Sequence, residues 1–133
     1  MEHEFVEPLL RRCDVSPVIR NQRNGHVLAD HVLPALDSRS RRTGLLRYKS
    51  LPQGHGMVIA PTSAIHTFFM RFPIDVAFVT RAGRIVKVRA AVRPGRVVLA
   101  LRAYAVIELP AGTLSRCETL MGDTLVMDVA AEV

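Results

Sequence analysis

The sequence predicts a mainly β fold: a small barrel-like β arrangement of about seven short strands with one or two short helices. Its apolar segments are short, and turn residues recur about every ten positions, as they do in small barrels and sandwiches. A chain of 133 residues can bury one core without a metal ion or a disulfide. We therefore predict an irregular lead-in over residues 1–25 and a single β-barrel-like domain over residues 26–133.

The elements of the first half are short and are ended by turn residues. Residues 1–25 show no clean periodicity and leave room for one short strand. His26–Pro34 is a strand candidate that ends at its proline, since proline cannot donate to a sheet. Gly56–Ala60 is a short apolar strand stopped by the next proline. His66–Met70 is predicted as a strand with its side chains alternating between two faces.

A β-hairpin is the clearest local signal in the second half. Ile74–Thr80 and Ile85–Val92 are apolar β segments, and Gly83 lies in the turn between them, where a positive φ is needed. Ala111–Leu120 has room for a helical turn. Three further strand candidates follow the hairpin: Val97–Leu101, Tyr104–Leu109 and Thr124–Ala130.

Charge is unevenly distributed along the chain. The net charge is +6, but residues 38–107 alone carry +12, whereas residues 1–37 carry −2 and residues 108–133 carry −4. The basic segment either forms a surface for a polyanion such as nucleic acid, or is neutralised by acidic ends that fold back onto it. Within it, Asp37 or Ser38 caps a predicted short basic helix over Arg39–Tyr48. The cations of that region are Arg39, Arg41, Arg42, Arg47 and Lys49.

Several protein classes are excluded by what the sequence lacks. No apolar run approaches the length of a membrane span, and the first residues do not resemble a signal peptide, so we expect a cytoplasmic protein with Cys13 and Cys117 as reduced thiols. Dinucleotide-binding, P-loop, zinc-protease, nucleophile-elbow and EF-hand motifs are absent. We predict no cofactor and no metal site.

Two isolated carboxylates lie inside apolar strand patterns. Asp75 and Glu108 are the only acidic residues between Asp37 and Glu118, and a buried carboxylate needs a partner or takes up a proton. They are structural partners of nearby arginines, an acid/base pair, or part of a polar ligand pocket. His66 is either a structural donor or a general base, and Asp75 could orient it if their strands pair.

Several short motifs follow one another in a recognisable order. They are Thr43–Leu46, Leu51–Pro52, Gly56–Met57, Ile65–Val76, Gly83–Val86, Arg93–Arg96, Glu108–Gly112 and Gly122–Asp123. In this order the chain resembles domain-of-unknown-function family 192 (uncharacterised protein family 0127), over roughly Val27 to Val129. The resemblance implies a compact, mainly β fold of barrel type with short helices, and it implies no reaction.

We therefore predict an uncharacterised small binding or accessory domain with an arginine-flanked polar pocket. Its partner would be a small anionic ligand or a polyanion, because arginine makes bidentate contacts with anions. The alternatives are a hydrolase that uses Asp75 or Glu108 with His66, and a nucleic-acid-binding module that uses the basic segment 38–107. The predicted ligand-binding residues are His66, Thr67, Arg71, Asp75, Arg93, Arg96 and Glu108.

Overall fold

The computed structural model describes residues 4–10 and 17–129, and this part of the chain is mainly β, as predicted. None of the helices in this part of the chain has the length and apolar composition of a membrane span. Its three helices are α1 (Glu7–Leu10), α2 (Ser38–Thr43) and α3 (Thr113–Arg116). Its ten strands are β1 (Pro17–Asn21), β2 (Val27–Ala29), β3 (His31–Ala35), β4 (His55–Ile59), β5 (Ala64–His66), β6 (Ile74–Val79), β7 (Ile85–Val92), β8 (Val97–Leu99), β9 (Ala105–Pro110) and β10 (Leu125–Val129).

The strands form three sheets, which do not close into the predicted barrel. A five-stranded sheet has the order β3-β4-β9-β6-β7, with β3 and β4 parallel and the other neighbours antiparallel. A three-stranded sheet has the order β10-β1-β2, and β5 pairs with β8. The sheets form layers and not a closed barrel, because both faces of the five-stranded sheet are apolar and each face is covered by a separate small sheet.

The five-stranded sheet separates two apolar cores. Every residue of β6 is buried, and successive side chains point to opposite faces. Ala77 and Val79 pack in the first core with side chains of the three-stranded sheet, such as Ile19. Val76 and Phe78 pack in the second core, which also holds side chains of β5 and β8.

Strand β5 differs from its predicted bounds. It spans Ala64–His66, and the chain turns over residues 67–70 where a strand was expected. The side chain of Thr67 donates to the carbonyl of Arg93 at 2.6 Å and accepts from the backbone N–H of Arg96 at 2.9 Å. These bonds tie the chain to a neighbouring turn, and Phe69 adopts a left-handed φ of 67°. The alternation of aromatic residues therefore did not indicate a strand.

Within residues 17–40 the strands differ from those predicted. β1 lies in the expected lead-in, yet it is the middle strand of the three-stranded sheet. The predicted strand over His26–Pro34 is divided into β2 and β3, and Pro34 lies inside β3. Proline is tolerated there because β3 is an edge strand of its sheet.

The helix prediction located α2 but not its end. Asp37 caps it, accepting from the backbone N–H of Ser40 at 2.8 Å. The helix stops at Thr43, because Gly44 has a left-handed φ of 47°, so Arg47 and Tyr48 lie beyond it.

Candidate functional site

Glu108 is a buried carboxylate in the middle of the five-stranded sheet. Its strand β9 pairs with Met57 of β4 on one side and Val76 of β6 on the other. Only 4% of the residue is exposed, and Oε2 makes no hydrogen bond with any described residue. Burial raises the pKa of Glu108 to about 7, since no neighbouring group offsets the loss of water around the charged form. The side chain therefore exchanges between acid and carboxylate near neutral pH.

An open cavity of about 660 Å³ lies over Glu108. It is bounded by α2 and the turn after it, and by the segment from the end of β4 to β5. Because β3 and β4 are parallel and α2 connects them, the cavity lies past the carboxyl ends of these two strands. Its lining residues are Ser38, Arg41, Arg42, Thr43, Gly44, Leu45, Leu46, Ile59, Pro61, Thr62, Ala64, Ile65, His66, Met70 and Glu108.

Two arginines of α2 supply positive charge to this cavity. Arg41 donates to the hydroxyl of Ser38 at 3.3 Å, and the Nε of Arg42 donates to the carbonyl of Ser38 at 3.2 Å. Among the described residues neither arginine forms an ion pair with a carboxylate. Their charges are thus available to an anionic group in the cavity.

His66 and Glu108 are the two predicted site residues that line this cavity. His66 is exposed at the end of β5, and its ring stacks on Phe68 with the centroids 5.4 Å apart. The sequence analysis assigned both residues to one predicted pocket, although they lie in separate strands. Both border the cavity because strand β5 lies over the face of the large sheet from which Glu108 projects.

Asp75 lies on the opposite face and has a different environment. Its side chain is fully buried and accepts three backbone N–H groups: Ala91 at 2.8 Å, Gly112 at 3.1 Å and Leu114 at 2.9 Å. The carboxylate thus joins β7 to the start of α3. Its partners are backbone amides, where an arginine was the expected structural partner. Asp75 does not line the cavity and does not orient His66.

The other four predicted site residues do not line the cavity. Thr67 is buried and bonded to the 93–96 turn, while the residues Arg71, Arg93 and Arg96 are exposed. Cys117 is buried, and Cys13 lies outside the described residues. Among residues 4–10 and 17–129, no three His, Cys, Asp or Glu side chains form a group that could hold a metal ion.

The basic segment keeps most of its charge unpaired. Within the described residues, one ion pair joins it to an acidic end of the chain, from Arg81 to Glu4 at 3.1 Å. All of residues 38–117 are described, and their two carboxylates, Asp75 and Glu108, are both buried. This stretch therefore presents cations to solvent with no exposed carboxylate among them.

Comparison with protein families assigns the chain. The model of the family DUF192, described as Uncharacterized ACR, matches residues 19–127. The chain belongs to this family. The resemblance that the sequence motifs suggested is thereby confirmed. No curated protein matches this DUF192 chain.

Two solved structures share the DUF192 fold. A protein of unknown function from Novosphingobium aromaticivorans aligns with a TM-score of 0.71 and 22% identity, over 82% of this chain and 81% of that one. A putative transcription regulator from Sinorhizobium meliloti aligns with a TM-score of 0.72 and 21% identity, over 88% and 98% of the two chains. These similarities establish the architecture of the DUF192 chain and no activity.

Sequence reasoning missed the residues that complete the DUF192 cavity. Arg41 and Arg42 were assigned to a basic helix face, and Thr62 was not considered. The capping signal at Asp37 located the helix, but the pairing of β3 with β4 places it over Glu108. That pairing joins residues about 24 apart, His31 with His55, and no local pattern reports it.

Proposed function

We propose that this DUF192 protein is a binding module for a small anionic molecule, and that the cavity between α2 and β5 is its site. The unpartnered Oε2 of Glu108 carries the proposal. A buried polar atom without a partner is costly, and most such atoms in folded proteins are satisfied. A ligand that bonds to Glu108 would supply the missing partner.

The chemistry of the cavity supports a ligand with two different ends. Arg41 and Arg42 favour a carboxylate or phosphate at one end. Glu108 favours a hydroxyl or amine at the other end, since it accepts a hydrogen bond when charged and donates one when neutral. A volume of about 660 Å³ suits a small molecule. The apolar side chains of Leu45 and Ile65 would contact the carbon skeleton.

Titration of the labelled protein by NMR would test this site. The probes are citrate, gluconate and glycerol phosphate, which combine an anionic group with hydroxyls, and acetate, which lacks the hydroxyls. We expect the first group to shift the amide signals of residues 41–46 and 64–66 at lower concentration than acetate. Glu108→Gln should remove this preference, and Arg42→Gln should weaken every probe. Arg84→Gln, an exposed arginine outside the cavity, is the matched control.

Two results would contradict the proposal. If none of the probes shifts cavity signals, or if Arg84→Gln weakens binding as much as Arg42→Gln, the cavity does not bind anions. Any remaining interaction with the probes would then come from the overall positive charge of the protein.

A hydrolase is the second candidate, and one observation favours it. Glu108 has a pKa of about 7 inside an open cavity that His66 also lines, and a carboxyl group with a pKa near neutrality suits general acid/base work. Turnover of chromogenic ester and glycoside substrates would test it. Activity that follows the protonation of Glu108 and disappears in Glu108→Gln would support an enzyme, whereas inactivity toward both classes would favour binding alone.

A further inference from the structure

An exposed apolar patch covers the outer face of the β5–β8 sheet. Val97 pairs with His66 and Leu99 pairs with Ala64, so these four side chains share one face, and all four are exposed. Phe68 continues this face, because its ring stacks on His66. The apolar patch is defined here as Phe68, Phe69, Val97 and Leu99, whose exposed fractions are 43, 89, 57 and 54%.

Phe69 is the most exposed member, and its backbone holds it outward. Its φ of 67° lies in the left-handed region, which bulky residues rarely adopt. Hydrogen bonds fix this turn, since Thr67 bonds to the 93–96 turn and the N–H of Met70 donates to the carbonyl of Thr67 at 3.2 Å. A strained and exposed aromatic residue is typical of a functional contact.

Four cations adjoin the apolar patch, either along the chain or through hydrogen bonds. Arg71 follows Phe69 by two residues, Arg93 and Arg96 occupy the turn bonded to Thr67, and the ammonium of Lys87 donates to the carbonyl of Leu99 at 2.6 Å. No exposed carboxylate occurs anywhere in residues 38–117 to oppose them. We define Arg71, Lys87, Arg93 and Arg96 as the basic rim.

We infer that the apolar patch and its basic rim dock this protein onto an anionic lipid surface. Apolar side chains that enter the headgroup boundary together with cations that meet anionic headgroups are the two components of peripheral membrane binding. Nucleic acid fits less well, because bases stack on aromatic rings and gain little from the aliphatic Val97 and Leu99. The inference does not depend on whether the cavity binds a small molecule.

Vesicle flotation with the full chain tests the inference. One set of vesicles contains phosphatidylcholine alone, and the other contains phosphatidylcholine mixed with phosphatidylglycerol. We expect binding to the anionic vesicles, and weaker binding to the neutral ones. Phe69→Asn should lower the partition coefficient about tenfold, since asparagine tolerates a positive φ but removes the apolar contact. Arg96→Gln should lower it about fivefold on anionic vesicles only.

Matched controls separate docking from general stickiness. Leu120 is 62% exposed in the loop between α3 and β10, so Leu120→Ser removes a similarly exposed apolar side chain away from the patch. Arg84→Gln removes an exposed arginine outside the basic rim. Both variants should bind anionic vesicles as the wild-type protein does. The melting temperature of each variant checks that it is folded.

Three results would overturn the inference. The first is the absence of wild-type binding to anionic vesicles. The second is an equal loss of binding in Phe69→Asn and Leu120→Ser. The third is binding of labelled single-stranded RNA that Phe69→Asn removes while vesicles remain unbound, which would make the same surface a nucleic-acid site.

Discussion

Glu108 and Asp75 lie on neighbouring strands, one register position apart, and project to opposite faces of the same sheet. Val76 pairs with Glu108 and Asp75 pairs with Leu109, so the two side chains alternate across the β6–β9 pair. Asp75 has three backbone donors, whereas Oε2 of Glu108 has none. Two carboxylates that both lie in apolar strands thus differ in their surroundings: Asp75 joins parts of the fold, whereas Glu108 is the group around which we propose a ligand site.

Replacing Glu108 should stabilise the protein above neutral pH. Its pKa rises from 4.5 in the unfolded chain to about 7 in the fold, so the folded state binds more protons between these values and the free energy of unfolding falls as pH rises. The amide in Glu108→Gln does not titrate, so the free energy of unfolding of this variant does not fall in this way as pH rises. We expect the variant to match the wild type near pH 4 and to exceed it by about 3 kcal/mol at pH 8. Urea unfolding at a series of pH values measures the difference.

The exposed Glu118 provides the matched control for this measurement. Glu118→Gln should change the free energy of unfolding by less than about 1 kcal/mol, because its carboxylate is exposed and its contact with His26 at 3.8 Å is an exposed ion pair. If Glu108→Gln destabilises the protein at every pH, Glu108 has a structural partner and the proposed ligand site loses its main support. Stabilisation with loss of ligand binding is the pattern of a residue kept for function.

Removing the Asp75 carboxylate should destabilise the fold strongly. Asp75→Ala leaves three backbone N–H groups buried without an acceptor, and we expect a loss of about 3 kcal/mol or more. Asp75→Asn keeps one acceptor oxygen, so its stability should lie between those of the wild type and Asp75→Ala. Thermal unfolding would show this order. A melting temperature for Asp75→Ala equal to that of the wild type would mean that these hydrogen bonds contribute little.

Local signals in the sequence predicted the parts of the fold that local interactions determine. The hairpin of β6 and β7, with Gly83 at a φ of 90°, depends on residues a few positions apart, and so does the cap of α2 at Asp37. The burial of Asp75 and Glu108 followed from their apolar strands. In each case, residues that are close together in sequence cause the feature that their pattern predicts.

The features that the sequence did not predict depend on contacts between residues that are far apart in the chain. β1 pairs with β10 across more than a hundred residues, so the sequence left room for a short strand in residues 1–25 but did not indicate its bounds or its partner. The turn at Phe69 depends on bonds from Thr67 to a turn 26 or more residues away. The cavity likewise depends on the position of α2 near Glu108, which no local pattern shows. The sequence analysis therefore chose the arginines of the turns that flank the strands of Asp75 and Glu108, which are Arg71, Arg93 and Arg96.

Gly83 should be the most sensitive glycine of the described turns. A Cβ at this position would collide with the carbonyl oxygen of Leu125, whose backbone N–H donates to Gly83 at 2.8 Å. We expect Gly83→Ala to cost about 3 kcal/mol, since both the left-handed φ and the collision oppose it. Gly95→Ala has a similar φ of 86° with nothing within 4 Å and should cost about 1 kcal/mol. If chemical denaturation shows equal losses of stability for the two variants, the backbone of Leu125 in β10 does not approach Gly83 closely.

Asp123 should make the protein sensitive to acid. It accepts from Arg23 at 2.8 Å and from the side chain of Asn21 at 2.9 Å, and these bonds, that of Arg23 foremost, hold its pKa well below the usual range. A folded pKa below the unfolded value means that the stabilisation is complete above about pH 4 and is lost as pH falls toward the folded pKa. Asp123→Asn should therefore be less stable than the wild type at pH 7, and the gap should narrow below about pH 4.

The exposed pair of Arg20 and Asp128, at 2.8 Å, provides the comparison for Asp123. Asp128 is half exposed, so Asp128→Asn should change the free energy of unfolding by less than about 1 kcal/mol at either pH. Urea unfolding of both variants at pH 7 and pH 3 distinguishes the two carboxylates. A gap for Asp123→Asn that stays constant between these pH values would show that the stabilisation comes from the shape of the side chain and not from its charge, because an amide keeps the shape and cannot titrate.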